Sequence, residues 1–254
     1  MSRRPVRVLV ATGYGINADR ELAEAFRLAG AAPERVHVSD ILDAPAKIAS
    51  CDILAFPGGF SFGDHLGSGK VLAYIVKSRL KKELEAFVAD GRLVLGVCNG
   101  FQTLVKMGIL PNLSENFTPD VSLIHNESGL FDDRWVPVRF NPDNPSPWTR
   151  GLGKTVLPIR HGEGRFITAS PAAAERIRRD NLIALYYDGW NPNGSEMDAA
   201  GITDPTGRVF GLMPHPEAFL FPQNHPRWTR ESVISAAGRS LFKNAVEYIQ
   251  SIQL

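Results

Sequence analysis

The sequence predicts an α/β protein built on a doubly wound, mostly parallel sheet with an antiparallel extension, and two observations predict it. Over the first 108 residues, short apolar runs rich in β-branched residues alternate with stretches of helical spacing, the punctuation of βαβ units. From Pro111 onward Pro, Asn and Asp become frequent, and short alternating runs replace the long helical patterns, as antiparallel strands at one side of such a sheet require.

Each element follows from local chemistry. Val6–Ala11 (VRVLVA) reads as a buried strand that ends at Thr-Gly. A helix follows, with Asn17 or Asp19 as cap, Leu22, Ala25, Phe26 and Ala29 on one face, and Gly30 as its stop. Arg35–Asp40 (RVHVSD) and Asp52–Gly59 (DILAFPGG) are two further strands running into polar or glycine-rich loops. Helical spacing over Val71–Val88 puts Leu72, Ile75, Val76, Leu80, Leu84 and Phe87 on one side, and GRLVLGVC then forms another buried strand. RWVPVRF and TVLPIR alternate as antiparallel strands, and Ser170 caps a short helix over Pro171–Arg179. Ile202–Met213 reads as a hairpin turning at Asp-Pro-Thr-Gly, and Glu231–Ile249 as a closing helix with Val233, Ile234, Ala237, Leu241, Ala245 and Ile249 on its face. No repeat, low-complexity tract or linker interrupts this order, so residues 1–254 are expected to form a single domain.

In a parallel sheet of this kind ligands sit at the carboxyl ends of the strands, where the loop after Phe56 and Cys98 both fall. The composition restricts what those ligands are. Twenty-eight basic against 27 acidic residues leave a formal charge of +1, which supplies no field for nucleic acid or an anionic membrane. Cys51 and Cys98 are the only cysteines, spaced for neither a disulfide framework nor a zinc motif, and a reducing compartment follows. The apolar start is too short for a signal segment, so the chain is expected to be cytoplasmic, and the sequons at Asn112, Asn116, Asn126 and Asn193 are read as ordinary loop asparagines.

Three glycine-rich stretches compete for the chemistry. Gly13–Ala18 (GYGINA) matches G-x-G-x-x-A between a strand and a helix, with Asp40 where a ribose-binding acid is expected, so a nucleotide-binding module is one reading. A turn that uses glycine for its backbone angles is the other. GDHLGSGKV is not a P-loop, because Asp64 replaces the first glycine and Val71 the metal-binding hydroxyl.

The third, Gly96-Val97-Cys98-Asn99-Gly100, has the form of a nucleophile elbow, with glycines two residues to either side of a cysteine between strand and helix. A thiol at a helix N-terminus is pushed toward the nucleophilic thiolate, whereas a packed core cysteine is the competing reading. Cys51, at a strand start, is read as core. Among the six histidines, His215 follows an apolar strand, and Glu217 lies two residues on. In extended chain these two share a face and Pro216 stiffens the link, so Cys98, His215 and Glu217 form a candidate triad with no metal.

PGG at 57–59, GVCNGFQ at 96–102 and PHPE at 214–217 resemble class I glutamine amidotransferase domains. GGFSFGD (58–64), HGEGRF (161–166) and NPNGS (191–195) resemble, within that class, the glutaminase subunit of phosphoribosylformylglycinamidine synthase. The resemblance runs from about Val6 to Glu217 and implies a flavodoxin-like fold. It also implies that L-glutamine is hydrolysed through a Cys98 thioester, with His215 moving the protons and Glu217 holding His215. The oxyanion would be received by backbone N–H groups of Asn99 and of Gly58, Gly59 and Phe60, while Gln102, His161 and Glu163 bear on the amino-acid end of the substrate. No cofactor is implied on this chain. ATP and Mg belong to a partner synthetase subunit that converts formylglycinamide ribonucleotide to formylglycinamidine ribonucleotide, accompanied by a small accessory subunit. A class I glutaminase serving a different acceptor synthetase is the nearer alternative, because the triad does not encode the acceptor. The turn GYGINAD and Ala218, where the family resemblance leads one to expect a cysteine-containing turn and an arginine, depart from the pattern.

Overall fold

The computed structural model describes residues 4–230 and 237–253. In chain order the elements are β1 (Arg7–Thr12), α1 (Asp19–Leu28), β2 (Ala32–His37), α2 (Val38–Asp43), α3 (Ala46–Ala49), β3 (Ile53–Phe56), α4 (Lys70–Ala89), β4 (Leu93–Val97) and α5 (Asn99–Met107). They continue with β5 (Val121–Ile124), β6 (Asp132–Phe140), β7 (Lys154–His161), β8 (Arg165–Thr168), α6 (Pro171–Arg179), β9 (Ile183–Tyr187), β10 (Ala199–Thr203), β11 (Val209–Leu212) and α7 (Ala237–Ile252). Nine strands form one sheet in the order β2-β1-β3-β4-β11-β10-β9-β6-β7, and β5 pairs with β8 in a small second sheet.

The pairings from β2 to β11 are parallel and those from β11 to β7 antiparallel, so the predicted extension is continuous with the parallel core. β3 and β4 are buried at every residue, because helices cover both faces of the parallel region. α4 places Leu72, Val76, Leu80, Leu84 and Phe87 in the core as its periodicity predicts. On α1, Phe26 packs edge-on against Phe242 of α7 with ring centroids 5.0 Å apart. Val233 and Ile234, assigned to the closing helix, lie outside the described residues. Among the described residues no helix is long and apolar enough to cross a membrane.

Two local expectations are corrected. The second strand lies earlier, at Ala32–His37, and Val38–Asp43 is helical, started by the His37 ring, whose Nδ1 accepts from the Ser39 N–H at 3.2 Å. A β-branched run cannot by itself reveal that a side chain inside it caps a helix. Neither Asn17 nor Asp19 caps α1. Ala18 occupies the cap position, and Asp19 turns inward to accept from Thr12 Oγ1 at 3.0 Å and from Arg35 at 2.8 Å. Ser170 does cap α6, accepting from the Ala173 N–H at 3.2 Å. Ser170→Ala is therefore expected to lower unfolding stability by about 1 kcal/mol, read as a reduced urea midpoint at unchanged slope.

Candidate active site

The elbow forms where β4 meets α5. Cys98 adopts φ 50° and ψ −106°, a left-handed backbone that lifts its side chain off the strand end. The flanking glycines are required by close approach. A Cβ on Gly100 would lie 1.9 Å from the Phe56 carbonyl oxygen, and one on Gly96 would lie 2.7 Å from that of Gly100. Strand β3, strand β4 and helix α5 are thus packed backbone to backbone beneath the thiol. The Cys98 N–H donates to Leu212 at 2.8 Å, which ties the elbow to the end of β11, and Sγ lies 3.6 Å from the Arg160 carbonyl oxygen.

β11 delivers the histidine. His215 donates its N–H to Pro158 at 2.8 Å, and its Nδ1 lies 2.6 Å from Glu217 Oε1. The expected extended link is corrected: Pro216–Ala218 is a short 3₁₀ turn, and the turn brings the carboxylate back under the ring. His215 and Glu217 are 4% and 2% exposed and Cys98 is 5% exposed. His215 Nε2 is buried without a hydrogen-bond partner. Gly58 passes beside both Cys98 and His215: a Cβ there would meet His215 Cε1 at 2.8 Å and Cys98 Cβ at 3.5 Å.

Burial opposes charge on His215, but the electrostatic influence of Glu217, and after it of Cys98, prevails and pushes its pKa up to about 10. The arrangement favours the imidazolium form of His215. Cys51 contrasts with this, since burial pushes its thiol up to about 11 and keeps it in the inert protonated form. The two cysteines thus differ in setting, Cys98 at the junction of β4 and α5 and Cys51 just before β3.

The oxyanion loop is only partly as expected. Asn99 sits in the first turn of α5, where backbone N–H groups have no intrahelical acceptor. Gly59, at φ 146°, lines the cavity at Cys98. The Phe60 N–H, however, is donated to Gly15 at 2.9 Å and is not free for an oxyanion.

The three residues assigned to the amino-acid end of the substrate fall elsewhere. Gln102 is buried, with Nε2 donating to the Glu163 carbonyl at 2.5 Å and Oε1 accepting from Asn99 Nδ2 at 3.0 Å. Glu163 accepts from the Ser68 N–H at 3.2 Å and lines a separate cavity of about 750 Å³ between α4 and β5. His161 Nδ1 lies 3.0 Å from Asn126 Oδ1, and because Asn126 Nδ2 already donates to Leu130 and His161 carbonyls, the ring must donate there. Burial, aided by the charge on His215, pushes His161 down to about 4, so it is neutral, with an unpartnered buried Nε2. The Gln102 and His161 side chains belong to the frame around the site, whereas Glu163 contributes only its backbone carbonyl to it. Sequence reasoning placed all three in the site by motif, but side-chain direction is a tertiary property.

The cavity that does reach Cys98 and His215 has a volume of about 380 Å³ and includes Glu21, Asp133 and Arg160 in its lining. None of these three was predicted; the one available signal was that Arg160 directly precedes the HGEGRF motif. Asn126 and Asn193, read as ordinary loop asparagines, are instead buried. Asn193 Nδ2 donates to the Gly164 carbonyl at 2.8 Å, and the Gly164 N–H donates to Asn126 Oδ1 at 3.0 Å, so both fix the 161–164 turn.

The nucleotide reading of Gly13–Ala18 is overturned by the same coordinates. A Cβ on Gly13 would lie 2.2 Å from His37 Nε2 and one on Gly15 would lie 2.3 Å from the Phe60 carbonyl oxygen. The space a pyrophosphate needs over such glycines is filled by protein. Asp40, the expected ribose ligand, lies in α2 rather than at a strand end.

Known proteins resemble this chain in sequence and in fold. The profile of the CobB/CobQ-like glutamine amidotransferase domain matches residues 5–249. A protein of Dehalococcoides mccartyi, phosphoribosylformylglycinamidine synthase subunit PurQ, is 40% identical, covering 97% of this chain and 99% of that one. The PurQ subunit of Methanococcus maripaludis is 38% identical over 95% of this chain and 97% of its own. A chain in the structure of PurLQS from Thermotoga maritima superimposes with a TM-score of 0.74 at 30% identity, covering 96% of this chain and 99% of that one. With a cysteine elbow facing a His-Glu pair on a 2-1-3-4 parallel core, and these likenesses along nearly its whole length, the chain belongs to the PurQ family of class I glutamine amidotransferases.

Proposed function

We propose that this chain is the glutaminase subunit of a phosphoribosylformylglycinamidine synthase, hydrolysing L-glutamine and passing the ammonia to a synthetase subunit in purine biosynthesis. The observation that carries the reading is the buried Cys98, His215 and Glu217 constellation in a chain of this family. The Cys98 thiolate attacks the side-chain carbonyl carbon of glutamine, and the electron pair moves onto oxygen, which the N–H groups of Asn99 and Gly59 receive. As the intermediate collapses, the C–N bond breaks and the His215 imidazolium gives its proton to the leaving nitrogen, releasing ammonia. Neutral His215 then takes a proton from water, which attacks the γ-glutamyl thioester, and glutamate leaves with the thiolate restored. Glu217 keeps the ring oriented throughout. Arg160, Glu21 and Asp133 give the cavity charges of both signs, which suits the zwitterionic end of the amino acid.

The acceptor chemistry, with ATP and Mg, belongs on the synthetase chain, and a small accessory subunit completes the assembly, which we place in the cytoplasm. Residues 1–254 act as one domain in this reading. Reaction with a glutamine-analogue electrophile tests the site directly. Mass spectrometry is expected to find one adduct at Cys98 and none at Cys51, whose burial holds it as thiol; an adduct elsewhere overturns the assignment. Co-purification of a synthetase chain from native extract tests the partner.

A further inference from the structure

The turn at 13–18 is the one motif that the glutaminase reading leaves without a role. It lies against the loop that carries Gly59. The Phe60 N–H donates to Gly15 at 2.9 Å and the Phe62 N–H to Tyr14 at 2.6 Å, while the Asn17 and Ala18 N–H groups both donate to Gly58 at 3.2 Å. The Tyr14 ring stacks on Phe62 with centroids 4.5 Å apart and planes 20° from parallel, and it leans on His37 at 4.9 Å. Tyr14 and Phe62 hold φ values of 53° and 54°, a left-handed backbone that bulky residues rarely adopt. Such strain persists only where neighbours over-determine it, and it concentrates at functional sites.

On its other side the same loop is tied to the elbow helix. Ser61 N–H donates to Asn99 Oδ1 at 3.2 Å, and Asn99 Nδ2 donates to Asp64 Oδ1 at 3.1 Å. The loop is therefore gripped between α5 and the 13–18 turn, with Gly58 and Gly59 in the gap beside Cys98.

We propose that the 13–18 turn is a positioning clamp for the oxyanion loop, with Tyr14 and Gly15 as positioning residues that hold the Gly59 N–H at its working distance from Cys98. The inference rests on the reading of Gly59 as an oxyanion donor. Donors of this kind act only when aimed at the position of the developing charge, and a displacement of about 1 Å costs on the order of 10²-fold in rate. Gly15 permits the approach, because any Cβ would strike the Phe60 carbonyl at 2.3 Å and push the loop outward. Tyr14, 43% exposed, contributes little to the core, so its ring acts on the loop rather than on global stability.

The test uses the chain in complex with its synthetase partner and measures steady-state glutaminase activity. Gly15→Ala is expected to lower kcat by roughly 10²-fold and Tyr14→Ala by roughly 10-fold, with KM changed by no more than about threefold. Tyr14→Phe keeps the stack and is expected to hold kcat within about twofold of the parent. Alkylation of Cys98 by iodoacetamide, which needs no oxyanion donor, is expected to proceed at the parental rate in all three. Gly91→Ala, a left-handed glycine at φ 80° with open space around it, controls for backbone strain alone and is expected to leave kcat unchanged.

Parental kcat in Gly15→Ala or Tyr14→Ala overturns the clamp, as does equal damage from Tyr14→Phe and Tyr14→Ala, or an alkylation rate that falls in step with kcat. If Gly15→Ala does not fold, the Tyr14 pair decides. Full activity of Cys98→Ser would remove the glutaminase reading itself, whereas an inactive Cys98→Ser beside unaffected Tyr14 and Gly15 variants removes only the clamp.

Discussion

Cys98→Ser, assembled with the synthetase partner, is expected to lose glutamine-dependent turnover by on the order of 10⁴-fold or more while keeping ammonia-dependent turnover within about twofold. The loss follows from chemistry, because a hydroxyl in place of the thiol has no thiolate to form beside His215 at neutral pH. The retention follows from structure. Cys98 is packed at the junction of β4 and α5, and serine is close enough in size to leave the elbow, and with it any surface the partner reads, undisturbed. Parallel assays with glutamine and with ammonium salt on one preparation separate the two outcomes. Loss of both activities would mean that the substitution broke the assembly, and retention of both would sink Cys98 as nucleophile.

Glu217→Gln is expected to lower kcat by at least about 10²-fold and to move the alkaline limb of the kcat/KM profile to lower pH. Burial alone would lower the pKa of His215, and the charge of Glu217 comes first among the causes that raise it to about 10. Removing that charge leaves burial opposed only by Cys98, so the imidazolium is lost at lower pH. The sign also fixes a stability effect. An ordinary histidine titrates near 6.5 in the unfolded chain, so the stability that protonated His215 contributes is fully present below that pH. It is lost as pH rises toward about 10 in the parent and earlier in the variant. An alkaline limb that does not move would show that Glu217 does not act on His215.

The meeting of Cys98 and His215 was legible in the sequence because each follows an apolar run, and strand ends in a parallel sheet converge on one edge. That Cys98 stands at a strand-to-helix elbow and Cys51 at a strand start was legible for the same reason. The link between His215 and Glu217 was found by the wrong geometry, since two residues share a face in a strand and are also brought together by the 3₁₀ turn that forms here. The second strand was misplaced because a side chain of its own run caps the following helix. Gln102, His161 and Glu163 were given to the substrate because motifs report position along the chain; the structure turns the Gln102 and His161 side chains onto Asn99 and Asn126 and the Glu163 carboxylate onto the Ser68 N–H.

By itself the sequence determined the parallel core, the antiparallel extension and the elbow, because periodicity and glycine spacing are local signals. Tertiary structure decided which groups face the cavity and which brace it. It filled the apparent nucleotide turn with His37 and Phe60, paired the Phe60 N–H with Gly15, and made two asparagines that were read as ordinary loop residues into supports of the 161–164 turn. Those outcomes depend on which backbone groups find partners from distant segments. A buried N–H or carbonyl must be paired, and the identity of its partner is settled only when the elements pack.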